Sequence, residues 1–136
     1  APAAAKKNVK IEYAAPQEPL GVLINPGRIK EIFSNLIDNA IKYNKENGIV
    51  TIAHERAGNF IKTTIRDTGM GINAENLPKI FTPYFRVSDH EQIQGTGLGL
   101  FTVKKFVEEA GGNIKADSKI GEGTIFTVSL PVAESV

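Results

Sequence analysis

Residues 25–67 constrain the fold more than any other stretch, because a long helical repeat runs straight into a pair of alternating strands. In "NPGRIKEIFSNLIDNAIKYNKENG" the apolar residues Ile29, Ile32, Phe33, Leu36, Ile37, Ala40 and Ile41 recur at helical spacing and form one stripe. Asn25 suits the cap, Pro26 the first helical position and Gly48 the stop. Residues 49–56 and 60–67 then read as two strands joined through "AGN", a hairpin turn. Two short strands precede the helix at 9–13 and 20–24, and two more follow at 113–118 and 123–130 around "KIGEG". A short helix is expected over 74–80, an irregular stretch over 82–96, and a second long helix after it. Strands cluster in antiparallel pairs with helices between the clusters. That order predicts an α+β two-layer sandwich, a mixed and mostly antiparallel sheet under about three helices, and not a βαβ alternation.

Composition narrows the function more than the fold. The chain has 136 residues, enough for one domain with a real core, expected over 9–131 with a linker or cut end at 1–8 and a tail at 132–136. Sixteen basic residues against fifteen acidic leave a net charge of +1, so no global field selects nucleic acid or an anionic membrane. The absence of cysteine excludes disulfides, thiolate chemistry and cysteine-ligated zinc, and two histidines make a histidine-rich metal site a poor expectation. No apolar run is long enough to span a bilayer and no signal peptide is visible, so the expectation is a cytoplasmic domain.

Three stretches carry candidate chemistry. "GTGLGLFTVKKFVEEAGG" places glycines at 95, 97 and 99 ahead of a helix marked by Leu100, Val103, Phe106, Val107 and Ala110 and closed by Gly111-Gly112. It lacks the third glycine of a dinucleotide fingerprint and the lysine of a P-loop. A glycine run entering a helix N-terminus can present backbone N–H groups to an anion, and can equally be a plain loop. On the first helix, Asn35, Asn39 and Lys42 share one arc at about 100° per residue, bordering the apolar stripe that contains Tyr43. Such an arc is either a solvated face or a rail for a divalent cation and phosphate, since an amide oxygen suits Mg²⁺ and an ammonium meets phosphate as a point charge. In "FIKTTIRDTGMGI", alternation puts Asp67 on the face of Ile61, Thr63 and Ile65, toward the core. No basic residue shares that face, so a donor from outside, such as the exocyclic amine of adenine, would satisfy the carboxylate. Gly69 and Gly71 would leave room for a planar ring. A turn aspartate is the plainer reading of "DTG"; the aspartic-protease reading needs a second such motif or a dimer.

Taken together, "NLIDNAIKYN", "DTGMGI", "IFTPYFR" and "GTGLGL" resemble, in order and spacing, the N, G1, F and G2 boxes of the catalytic domain of sensor histidine kinases, members of the GHKL superfamily with the Bergerat fold. The resemblance runs from about residue 9 to 131. It implies binding of Mg-ATP, with Asn39 as Mg²⁺ ligand, Asn35 beside it, Lys42 on phosphate and Tyr43 as a wall. It implies that Asp67 takes the adenine amine, with Gly69, Gly71 and Ile72 around the ring. Arg86 would reach the terminal phosphates. Gly95, Thr96, Gly97, Leu98, Gly99 and Leu100 would form the hinge and phosphate contacts of a mobile ATP lid, with Phe81 and Phe85 at its base. Catalysis would rest on Asn39, Lys42 and Arg86.

The resemblance also implies a partner: a dimeric helical phosphoacceptor domain whose histidine receives the γ-phosphate, and through it the receiver domain of a response regulator. His54 and His90 are each followed by glutamate, as the family's acceptor histidine is, but neither continues with the acceptor pattern. Both are expected to be structural or surface residues, and the chain reads as an excised catalytic domain that does not phosphorylate itself. Asp38 is expected on the far, exposed side of the helix, so no general base is placed to make a free-running ATPase. Two other readings are a serine kinase of the anti-sigma type, and a nucleotide-sensing module without transfer.

Overall fold

The computed structural model describes residues 8–14, 21–22, 24–82 and 99–132. Its elements, in order, are β1 (Lys10–Ala14), α1 (Pro26–Lys42), β2 (Ile49–Ala57), β3 (Phe60–Asp67), a 3₁₀ turn (Leu77–Lys79), α2 (Gly99–Glu109), β4 (Asn113–Lys119) and β5 (Gly123–Pro131). The strands form one sheet in the order β1-β2-β3-β5-β4. β1 lies parallel to β2, while β2-β3, β3-β5 and β4-β5 are antiparallel. The mixed, mostly antiparallel sheet of an α+β sandwich is therefore present, with two α-helices and the 3₁₀ turn among the described residues.

Alternation decides which face is covered. Val50 and Ile52 of β2, Ile61 and Ile65 of β3, and Phe126, Val128 and Leu130 of β5 are buried, and their helical counterparts are Ile32, Leu36, Ala40, Ile41, Val103 and Val107. Ile29, Phe33 and Ile37 complete the stripe on α1 half-buried. On the other face Glu55 pairs with Lys62, Thr51 with Arg66, and Thr64 with Thr127, a set of side chains that suits solvent. Arg28 at the start of α1 pairs with Glu109 at the end of α2 (2.6 Å) and lies over the Phe106 ring, 4.5 Å from its centre. The helices thus run in opposite directions.

Three boundaries differ from the sequence expectation. α1 is capped by Asn25, which accepts from the Gly27 amide at 2.7 Å, but it ends at Lys42 and not at Gly48. Asn44 turns the chain there: it is 6% exposed, donates to the Ile49 carbonyl (3.2 Å) and accepts from the Lys45 amide (2.9 Å). These bonds compete with helical ones, the ordinary behaviour of asparagine. The helix expected over 74–80 is only the 3₁₀ turn, where Pro78 removes a donor. Of the strand expected at 20–24, residues 20 and 23 lie outside the described residues, and Val22 makes a single bridge to Val132.

Candidate functional site

β3 ends at Asp67, and the loop that follows folds back between two neighbours. On one side the Thr68 amide donates to the Ile49 carbonyl (3.2 Å), Thr68 Oγ1 donates to Asn44 Oδ1 (3.1 Å), and the Met70 amide donates to the Tyr43 carbonyl (3.1 Å). On the other side the Gly121 amide donates to the Met70 carbonyl (2.9 Å), and the Ile72 amide to Ser118 Oγ (2.7 Å). A β-carbon on Gly69 would stand 2.3 Å from the Tyr43 carbonyl oxygen. Gly71 has φ +76°, and a β-carbon there would stand 2.3 Å from the Lys119 carbonyl oxygen. The two glycines therefore let backbone lie directly on backbone. The structure assigns them this packing role where the sequence suggested room for a planar ring.

This loop, the end of α1, the start of α2 and the start of β5 enclose a recess. Asn39 and Tyr43 come from α1 and its cap, Asp67, Gly71 and Ile72 from the end of β3 and its loop, Leu100 from α2, and Thr124 and Phe126 from β5. Its free volume is about 30 Å³, space for a water molecule or so. Asp67 is 6% exposed. Its Oδ1 accepts from the amides of Gly69 (2.9 Å) and Thr124 (3.2 Å). Burial raises its pKa above the ordinary carboxylate value, and those two amides oppose the shift. The carboxylate thus has donors inside the fold, contrary to the expectation that only a ligand would supply them. Both bonds fall on Oδ1, so Oδ2 retains its capacity to accept at a recess that Asp67 lines.

The other sequence candidates divide cleanly. Asn39, Tyr43, Asp67, Gly71, Ile72 and Leu100 meet at the recess. Asn35 does not line it. Its amide donates to the Glu31 carbonyl (2.9 Å), and a β-carbon on Gly99 would stand 3.1 Å from its Oδ1, which places it against the start of α2. Lys42 is half-buried at the end of α1, and Gly69 is buried within the loop. Arg86, Gly95, Thr96, Gly97 and Leu98, with Phe85 and His90 and the expected lid, lie outside the described residues. Phe81 packs edge-on against Phe126, centres 6.2 Å apart, with Lys104 over its ring. Asp38 is exposed, as expected. Sequence reasoning missed Thr124 and Phe126; the alternation of β5, which puts a hydroxyl on the core face next to "EG", was the signal.

The donor set fits one hard cation sparingly. Among the described residues the Asn39 carboxamide makes no hydrogen bond, and no group of three or more acidic or histidine side chains is arranged to cage a metal. An amide oxygen without an internal partner suits Mg²⁺ that keeps waters and phosphate oxygens as its other ligands.

A buried, backbone-buttressed carboxylate beside an amide-bearing helix in this sheet order defines a nucleotide-binding class, and the comparisons agree. Residues 24–134 match the family described as histidine kinase-, DNA gyrase B- and HSP90-like ATPase. The chain is 37% identical over 130 residues to the sensor histidine kinase ZraS of Klebsiella oxytoca, covering 95% of this chain and 27% of that protein. The nucleotide-free catalytic domain of the histidine kinase ThkA superposes with a TM-score of 0.80 at 31% identity, over 94% of this chain and 83% of that one. Full-length ShkA in complex with AMPPNP superposes with a TM-score of 0.83 at 26% identity, over 99% of this chain and 28% of that one. The chain belongs to the histidine kinase-, DNA gyrase B- and HSP90-like ATPase family, as an ATP-binding catalytic domain of the histidine kinase type. It spans just over a quarter of ZraS, 27%. No helix among the described residues is long and apolar enough to cross a membrane.

Proposed function

We propose that this domain binds Mg-ATP and donates the γ-phosphate to a histidine on a separate, dimeric helical phosphoacceptor domain, within a two-component sensor kinase acting at the cytoplasmic side. The phosphohistidine would then supply the receiver domain of a response regulator. The observation that carries the reading is Asp67: a buried carboxylate whose Oδ1 accepts from two backbone amides, with Oδ2 left for a donor at the recess. An exocyclic amine matches it. Gly69, Gly71 and Ile72 hold the loop that presents Asp67, and Tyr43 and Leu100 wall the recess. Asn39 would hold Mg²⁺, with Asn35 beside it; when bound, the ion neutralises charge on the phosphate oxygens. Lys42 and Arg86 meet the phosphates as cations, and the amides of Gly95, Thr96, Gly97, Leu98 and Gly99 add hydrogen bonds around them. Catalysis here is positioning and charge neutralisation.

The test is incubation with γ-labelled ATP, alone and with a cognate helical hairpin. Alone, the chain should bind Mg-ATP and acquire no phosphohistidine. His54 stands in β2 with its Nδ1 2.7 Å from Thr63 Oγ1, packed between aromatic rings, and not on an acceptor helix. With the hairpin, acid-labile and base-stable label should appear on the partner. Transfer will be slow, because tethering normally raises the effective concentration to about millimolar. Acid-stable label on a serine would move the assignment to a serine kinase, and rapid turnover by the chain alone would mean a general base operates here.

A further inference from the structure

Ser118, on β4 and outside all four sequence boxes, sits at the hub of the recess's hydrogen bonding. Its Oγ lies 2.7 Å from the Ile72 amide, 3.0 Å from the Gly123 carbonyl oxygen and 2.8 Å from Thr124 Oγ1. A serine hydroxyl has one proton and two lone pairs. The Ile72 N–H occupies one lone pair. The Gly123 carbonyl can only accept, so that contact takes the single serine proton. The Thr124 hydroxyl must then donate into the second lone pair. No other arrangement gives every contact a proton: turning the serine proton to Thr124 leaves two oxygens facing each other at 3.0 Å with nothing between them.

This arrangement fixes the character of Thr124. Its one proton is committed to Ser118, so Oγ1 keeps two lone pairs and no proton to give. Thr124 lines the recess beside Asp67, and its amide donates to Asp67 Oδ1 at 3.2 Å. We infer that Ser118 is a positioning residue for base selectivity, holding Thr124 as a second acceptor next to Asp67 so that the pocket favours a purine with an amine at position 6 over one with an oxygen there. The inference rests on the ATP reading of the recess. A 6-oxo purine can still offer its N1–H to Asp67, but its O6 then meets Thr124 acceptor against acceptor. With Ser118 gone, the Thr124 hydroxyl can turn and donate to that oxygen.

ATP and ITP share sugar, phosphates and ring size and differ only along the N1–C6 edge, so the change in the ratio of their dissociation constants from one variant to the next reads that edge. Ser118→Ala should narrow the preference for ATP by about threefold to tenfold, the worth of one net hydrogen bond. Ser118→Thr, which keeps the hydroxyl, should hold the wild-type ratio. In a Thr124→Val background, Ser118→Ala should leave the ratio where Thr124→Val alone puts it. Equal weakening of ATP and ITP by Ser118→Ala would show a merely structural role, from the stranded Ile72 amide, and would overturn the inference. A ratio that still responds to Ser118→Ala without the Thr124 hydroxyl would overturn it too. Absence of ATP binding by the wild-type chain would remove both this inference and the reading of the recess, whereas intact ATP preference with a silent Ser118→Ala removes only the inference.

Discussion

Asp67 and His54 stand on the same covered face of the sheet, and burial perturbs both, yet the fold treats them in opposite ways. Asp67 meets two backbone amides that oppose the effect of burial and keep its charge supportable. His54 meets the Thr63 hydroxyl and the edges of Tyr13 and Phe33, ring centres 5.5 and 6.3 Å away, and burial alone lowers its pKa. The first group is held ready for a charged role; the second is packed as a neutral ring. A desolvated titratable group marks a binding site only where the fold also supplies donors or acceptors for its charged form.

The sharpest way to break that contrast is Asp67→Asn. The amide keeps an oxygen for the Gly69 and Thr124 N–H groups but loses the charged acceptor for the adenine amine. A hydrogen bond to a charged group is worth about 1.5–3 kcal/mol, so ATP affinity by calorimetry should fall at least tenfold. The ligand-free fold should be no less stable at neutral pH. Because the folded-state pKa is raised, the ionised carboxylate costs stability above that pKa, and the amide removes the cost. Unchanged ATP affinity would end the adenine assignment.

How far the sequence carried this contrast depends on whether an atom's partner is local. The core face of β3, the stripe on α1 and the inward Asp67 follow from periodicity alone, since each needs only the residue's own strand or helix. The donors of Asp67 did not follow, because one comes from Thr124, far along the chain in β5. The packing role of Gly69 and Gly71 was hidden likewise: Tyr43 and Lys119 approach them only once the sheet is assembled. The end of α1 was misread because Gly48 is a strong stop signal, while Asn44 acts earlier through bonds to Lys45 and Ile49. The ordered boxes supplied the proposed identity of the site, and tertiary contacts supplied its construction.

Asn39→Ala probes the other end of the recess. Removing an amide oxygen offered to Mg²⁺ should weaken Mg-ATP binding several-fold and metal-free ATP binding much less. Equal losses with and without Mg²⁺ would remove Asn39 as the ligand.

Acid titration separates the two titratable groups without mutation at the site. ATP affinity should decline as pH falls through the raised pKa of Asp67, so the loss begins above the ordinary carboxylate range. An affinity flat down to that range would show that the carboxylate's charge is not what the nucleotide meets.

The smallest effect belongs to His54, and it completes the contrast. Its folded-state pKa lies below the value near 6.5 of an unperturbed histidine, so below that pH the unfolded chain binds a proton that the folded chain resists. Stability should therefore fall as pH drops through about 6.5 and should flatten again below the lowered folded pKa, with a slope of at most about 1.4 kcal/mol per pH unit from this one group. His54→Gln keeps a polar partner for Thr63 and cannot titrate. The wild-type denaturant midpoint should fall relative to that of His54→Gln between pH 8 and pH 5, because the wild-type chain alone loses this contribution on acidification. ATP affinity should match the wild type at neutral pH, since His54 borders a different cavity, shared with Phe33, Ile61 and Leu130. If His54→Gln instead weakened ATP binding as Asp67→Asn does, the two groups would belong to one coupled site, and the division between a charged carboxylate for the ligand and a neutral imidazole for the core would fail.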